Sequence, residues 1–170
     1  MEETMRKLAF FAPLAAVLAF GAAPAMAEPA LISVSLGPDL KEKAEELGPR
    51  EVQDQADRLA ELVGRALARD RDGDLDGARI ELVLTDLRPN RPTFRQLADR
   101  PGLDGYHSRS IGGAAIEGQI TTADGRTLPV RYDWFSSSLS DVVGIDTWSD
   151  ADRAYRRLAE NLADGRYASR

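Results

Sequence analysis

Residues 114–135 read AAIEGQITTADGRTLPVRYDWF, two alternating runs joined by an Asp-Gly turn. In the first run Ala114, Ile116 and Ile120 oppose Glu117, Gln119 and Thr121, and in the second Leu128, Val130, Tyr132 and Trp134 share one side. A period of two with one apolar side is what a half-buried strand requires. Asp124 and Gly125 are residues that tolerate the left-handed backbone of a tight hairpin. Pro129 has no N–H to give to a ladder, which predicts an edge position or a bulge for the second strand.

Two more strands and two long helices precede and follow this hairpin. LISVSL (31–36) alternates Ile32, Val34 and Leu36 with Ser33 and Ser35, and ARIELVLTDL (78–87) sets Ile80, Leu82 and Leu84 against Arg79, Glu81 and Thr85. Between them, a short helical segment is read near residues 39–47. A longer helix then opens at Pro49, with an apolar stripe at Val52, Ala56, Leu59, Val63, Ala66 and Leu67. Steps of three and four make that stripe one face of a helix, and proline suits a first turn that needs no N–H. The last helix carries Ala151, Ala154, Tyr155, Leu158, Ala159 and Leu162 on one face, with Thr147 or Ser149 as its expected cap and Gly165 as its stop. One-sided strands and one-sided helices are satisfied together by a two-layer α+β sandwich in the order βαβββα. Its four-stranded, mainly antiparallel sheet carries two helices on one face and leaves the other face open.

The N-terminus predicts an address. Arg6 and Lys7 precede an apolar run from Leu8 to Ala23, then Pro24 and Ala25-Met26-Ala27, the order of charge, apolar core and small residues that an export signal uses. Residues 1–27 are therefore read as a cleavable secretion signal and 28–170 as one domain in the periplasm or outside the cell. Glu2 and Glu3 are out of place in such a leader, which suggests a start at Met5. An uncleaved anchor is disfavoured because the run is shorter than the ~20 residues that span a bilayer and is broken by Pro13. The chain has no cysteine and a formal net charge of -6. That excludes disulfide staples and thiolate metal sites, and disfavours nucleic acid and anionic membrane surfaces as partners of the molecule as a whole.

Two charged loops are the candidate sites. In ARDRDGDLDGARIEL, Asp72, Asp74 and Asp76 with Gly77 match the first half of a calcium loop. The twelfth position is Val83 where a bidentate glutamate belongs, and a strand follows where a helix should. The reading is a solvated turn, with a shortened calcium cage as its alternative. In LRPNRPTFRQLADRPG, Arg88, Arg91, Arg95 and Arg100 crowd an otherwise acidic chain. Thr93 and Gln96 have capping-box spacing, so a short helix there would aim N–H groups at an anion, with Arg109 returning to the same end of the sheet. The functional expectation is a small anion site for a phosphate, a carboxylate or a cell-wall fragment, set against a proline-stiffened surface loop whose arginines pair with nearby acids.

Catalytic sets are poor. His107 is the only histidine, which excludes a multi-histidine metal site, and Ser108 and Ser110 beside it form no nucleophile elbow. Acidic pairs for an Asp/Glu-dependent hydrolase acting on an envelope polymer are numerous but carry no specific pattern. IGGAAIEG has the wrong spacing for a dinucleotide loop, and Gly112-Gly113 reads instead as a bulge or close backbone contact. Phe135 lies on the opposite strand face from Tyr132 and Trp134, which makes it the better exposed contact.

The strings TDLRPNRPTFRQL, RPGLD, SIGGAAIEGQI, DGRTLPVRYDW and TWSDADRAYRRLAENL, in this order, resemble a group of small exported bacterial α/β proteins of unknown function. The resemblance spans most of residues 28–170 and implies an envelope location and a compact α+β domain, with no activity, substrate or cofactor. The expectation is a non-enzymatic binding or interaction module meeting an envelope protein or a cell-wall component. Contacts are expected through Arg88, Arg91, Thr93, Arg95, Arg109, Phe135 and the open sheet face.

Overall fold

A computed structural model describes residues 28–69, 75–142 and 144–167. The candidate signal at residues 1–27 lies outside the described residues. The elements are β1 (Leu31–Leu36), α1 (Pro38–Leu47), α2 (Pro49–Leu67), β2 (Arg79–Arg88), α3 (Phe94–Asp99), β3 (Gly113–Thr121), β4 (Thr127–Phe135) and α4 (Ser149–Ala163), with a 3-10 turn at Leu139–Asp141. Strands lie side by side in the order β1-β2-β3-β4. Helices α2 and α4 pack on each other and on one sheet face, so the fold is the expected two-layer α+β sandwich.

The sheet is mixed. β2, β3 and β4 are antiparallel, whereas β1 runs parallel to β2 with Leu31 opposite Arg79 and Leu36 opposite Leu84. The reason is the connection: β1 and β2 are joined through α1 and α2, a crossover long enough to return the chain in the same direction, which a tight hairpin cannot do. At the other edge, the Arg131 N–H leaves the ladder for the carbonyl of Tyr167 at 3.2 Å. Pro129 shares that outward parity, so its missing N–H costs no ladder bond.

Periodicity fills the core. Val52, Ala56, Leu59, Leu62 and Val63 of α2 and Ala151, Ala154, Tyr155, Leu158, Ala159 and Leu162 of α4 are buried. They close over Ile80, Leu82 and Leu84 of β2 and Ile116 and Ile120 of β3. Burial of such side chains contributes about 1.5–3 kcal/mol each before chain entropy is subtracted. Among the described residues no helix is long and apolar enough to cross a membrane.

One irregularity shapes the upper end of the sheet. Between β2 and β3 the register passes from Leu84 opposite Ile116 to Asp86 opposite Ala115, leaving Thr85 as an extra residue. Its hydroxyl donates to the Ala115 carbonyl at 3.1 Å. A one-residue bulge inverts the alternation, so Leu87 enters the core and Asp86 and Arg88 turn to the open side. β1 stops opposite Leu84, and Lys43 of α1 supplies a 2.9 Å hydrogen bond to the Leu87 carbonyl.

Candidate functional site

A cleft of about 360 Å³ opens at the end of the sheet where β2 and β4 finish. Lys43 and Glu46 of α1, Arg88, Pro89, Arg91 and Pro92 at the end of β2, Gln96 of α3, and Arg100, Leu103 and residues 108–111 beyond α3 contribute to its wall. Arg88, Arg91, Arg100 and Arg109, four of the arginines picked out from sequence, thus line one place, joined by Lys43.

The cations differ in what they hold. Lys43 and Arg88 both bind Asp86, each at 2.9 Å. Burial pushes the Asp86 carboxyl up, but these two cations outweigh it and hold the group below the usual carboxylate range. Arg100 pairs with Glu46. Arg91 and Arg109 have no acid within salt-bridge distance among the described residues. Arg91 donates to the carbonyl of Tyr106, and Arg109 to those of Val142 at 2.9 Å and Leu139 at 3.4 Å. Carbonyl anchors fix a guanidinium without neutralising it and leave most of its five N–H donors for an incoming anion.

A buried polar node sets the position of the loop that carries Arg88 and Arg91. Asn90, 1 % exposed, lies between them. Its side-chain carbonyl accepts the N–H of Asp150 at 2.8 Å, and its amide donates to the Asp150 carboxylate at 2.5 Å. The Ser136 hydroxyl binds the same carboxylate oxygen. Helix α4 is therefore capped from sixty positions away: neither Thr147 nor Ser149 caps it, and Trp148 stands at the cap position with no side-chain bond. A carboxylate in the first turn also suits the positive end of the helix. Gly112 is needed here, because a Cβ on it would lie 2.6 Å from the Asn90 side chain. Ser110 completes the loop, its N–H on the Asn90 carbonyl at 2.9 Å and its hydroxyl on the Pro89 carbonyl at 2.5 Å.

Other sequence-derived residues fall elsewhere. Thr93 is buried and caps α3 in a capping box with Gln96. The N-terminus of α3 is not an open anion site, since the Phe94 N–H already donates to the Glu51 carboxylate at 3.0 Å. Burial pushes the Glu51 carboxyl up from its usual range, while the Phe94 N–H and the Trp148 side chain favour its charged form. Arg95 turns away from the cleft to Asp99 at 2.7 Å, an i,i+4 pair on its own helix. Phe135 lies on the open side as expected, but Arg88 covers its ring at 4.5 Å. The open face itself is laced by its own pairs, Gln119 with Glu81 at 2.8 Å and Arg131 with Glu117 at 3.2 Å. Of the calcium candidates, Asp72 and Asp74 lie outside the described residues, and Asp76 is an exposed turn residue before Gly77.

Lys43 escaped the sequence reading of the site because it comes from a helix earlier in the chain. Asn90 and Asp150 had a faint signal, an asparagine held between two prolines and an aspartate in a first turn. The exposed large apolar side chains also gather at this end. Phe94, Leu103, Tyr106, Ile111, Leu139 and Ile145 all sit at or beyond the ends of β2 and β4, with Leu31 the exception among the described residues. No family model matches the chain, and no match to it was found among curated proteins.

Proposed function

We propose that this protein is a non-enzymatic binding module of the bacterial envelope, working as a soluble domain after export, and that it makes contact through the cleft end. One observation carries the reading: Arg91 and Arg109 line one cleft with no acid within salt-bridge distance of either among the described residues, in a chain whose net charge is -6. An acidic molecule that concentrates bare guanidinium groups in a concavity has the electrostatics of an anion receptor. The open sheet face, also expected to make contacts, is less suited because Glu81 and Glu117 are already engaged there by Gln119 and Arg131.

A photo-crosslinking side chain placed at Tyr106 or Ile145 in intact cells tests this, with position 117 on the open face as control. A defined envelope protein or cell-wall polymer recovered from the cleft positions and not from the control is the expected result. Equal recovery from both, or none from either, would remove the reading. Fractionation of the same cells tests the address: the processed chain should leave with the soluble envelope fraction.

A further inference from the structure

We infer that the ligand of the cleft is an amphipathic anion, one carboxylate or phosphate head on an apolar stem, an inference that rests on the binding role proposed above. The cleft has two kinds of wall. Pro89, Pro92, Leu103 and Ile111 give it apolar surface, while Arg91 and Arg109 give it guanidinium groups with no acid within salt-bridge distance among the described residues. An inorganic ion would use the second and leave the first wet. A neutral apolar molecule would use the first and leave charge unanswered.

The remaining cations limit the charge of the guest. Lys43, Arg88 and Arg100 are engaged with Asp86 and Glu46, so one oxyanion head meets the uncompensated pair, and a polyanion would have to break existing ion pairs. At about 360 Å³ the space is that of a small-molecule site. The stem has a continuation outside it. Phe94, the first residue of α3, and Tyr106, whose carbonyl anchors Arg91, are 82 % and 81 % exposed close in the chain to segments that line the cleft, the arrangement expected where an apolar guest leaves a site too short to enclose it.

Titration calorimetry on the full chain with straight-chain carboxylates from acetate to octanoate, below micelle formation, reads the stem directly. Each buried methylene should tighten binding about fourfold until the cleft is filled. Octan-1-ol, lacking the head, and inorganic phosphate, lacking the stem, should each bind at least tenfold more weakly than octanoate. The double substitution Arg91→Gln with Arg109→Gln should abolish octanoate binding. Leu103→Ser with Ile111→Ser should flatten the chain-length dependence and leave acetate unchanged, which separates loss of a site from loss of the fold.

The source of the head is read from octyl phosphate and from phosphatidylglycerol vesicles beside phosphatidylcholine vesicles. Retention on the anionic vesicles supports a lipid headgroup, and binding of octyl phosphate or octanoate without retention supports a free amphiphile. Affinity that does not rise with chain length, or octan-1-ol binding as tightly as octanoate, overturns the inference. Inorganic phosphate binding where octanoate does not would overturn it while leaving the anion-binding reading in place. Silence from every anion together with failed crosslinking would remove both.

Discussion

Replacing Asn90 by alanine should be among the most damaging single truncations in this protein, and the structure sets the size. The Asp150 carboxylate is fully buried. Among the described residues, without Asn90 its Oδ2 keeps only Ser136, and its Oδ1, which has no hydrogen bond, keeps only the Arg153 guanidinium at 3.6 Å. A hydrogen bond to a buried charge is worth about 1.5–3 kcal/mol, and loss of a helix cap adds about 1 kcal/mol. Asn90→Ala should therefore cost about 2.5–4 kcal/mol. In urea, where m for a domain of this size is about 1–3 kcal/mol/M, the midpoint should fall by about 2 M. The decisive measurement is the double-mutant cycle with Asp150→Ala. If the two side chains act as one unit, Asn90→Ala should cost much less once Asp150 is gone, with a coupling of about 1–3 kcal/mol. A loss below about 1 kcal/mol for the single variant, or an unchanged cost in the Asp150→Ala background, would refute the capping argument.

Gly113→Ala should destabilise by about 3 kcal/mol or more, because the residue has φ +147 and a Cβ there would sit 2.2 Å from the Trp134 carbonyl oxygen; a urea midpoint near that of the parent would disprove it. Deleting Thr85 should abolish cooperative unfolding and near-ultraviolet circular dichroism, whereas Thr85→Ala should cost only about 1 kcal/mol for one hydrogen bond. The Asp86 carboxyl is held down in the folded chain, so its contribution to stability is present above the unfolded value of about 3.9 and is lost as pH falls through the lower folded value. Lys43→Met should move the Asp86 titration upward in carbon-detected nuclear magnetic resonance and weaken that acid limb, and an unmoved titration would show that Lys43 does not hold it.

The parts of the fold governed by short-range periodicity are readable along the chain, and the parts governed by long-range pairing are not. The stripes of α2 and α4 and the β3–β4 hairpin follow from spacing because a helix or a hairpin is built from near neighbours. The parallel pairing of β1 with β2 is set by how two helices fold back over the sheet, which no local pattern states. The site divides in the same way. Arg88, Arg91 and Arg109 flank a short segment whose ends are close in the chain, so their convergence was foreseeable. The partnership of Asn90 with Asp150 across sixty positions was not. Arg95 shows the opposite error: sequence proximity placed it in the cluster, but helical geometry gave it Asp99 one turn away.

The bulge at Thr85 connects the core to the cleft. In an unbroken strand Arg88 would share the parity of Ile80, Leu82 and Leu84 and would point beneath the helices, while Leu87 would face water. The apolar spacing of two, two and then three from Ile80 to Leu87 already encodes the extra residue, since burial of Leu87 and exposure of Arg88 can be satisfied together only if the alternation slips once. The slip has to occur before Asp86, so that the carboxylate turns outward with Arg88 and stands within reach of Lys43. Opposite Arg88 the strand β3 begins with Gly113, and opposite Gly113 stands Phe135. A side chain on β3 at that point would separate the two, and its absence lets the Phe135 ring approach the Arg88 guanidinium. Core packing and cleft electrostatics therefore depend on one inserted residue in β2 and one missing side chain in β3. A substitution that restored regular strand geometry at either place would act on the cleft and on stability together.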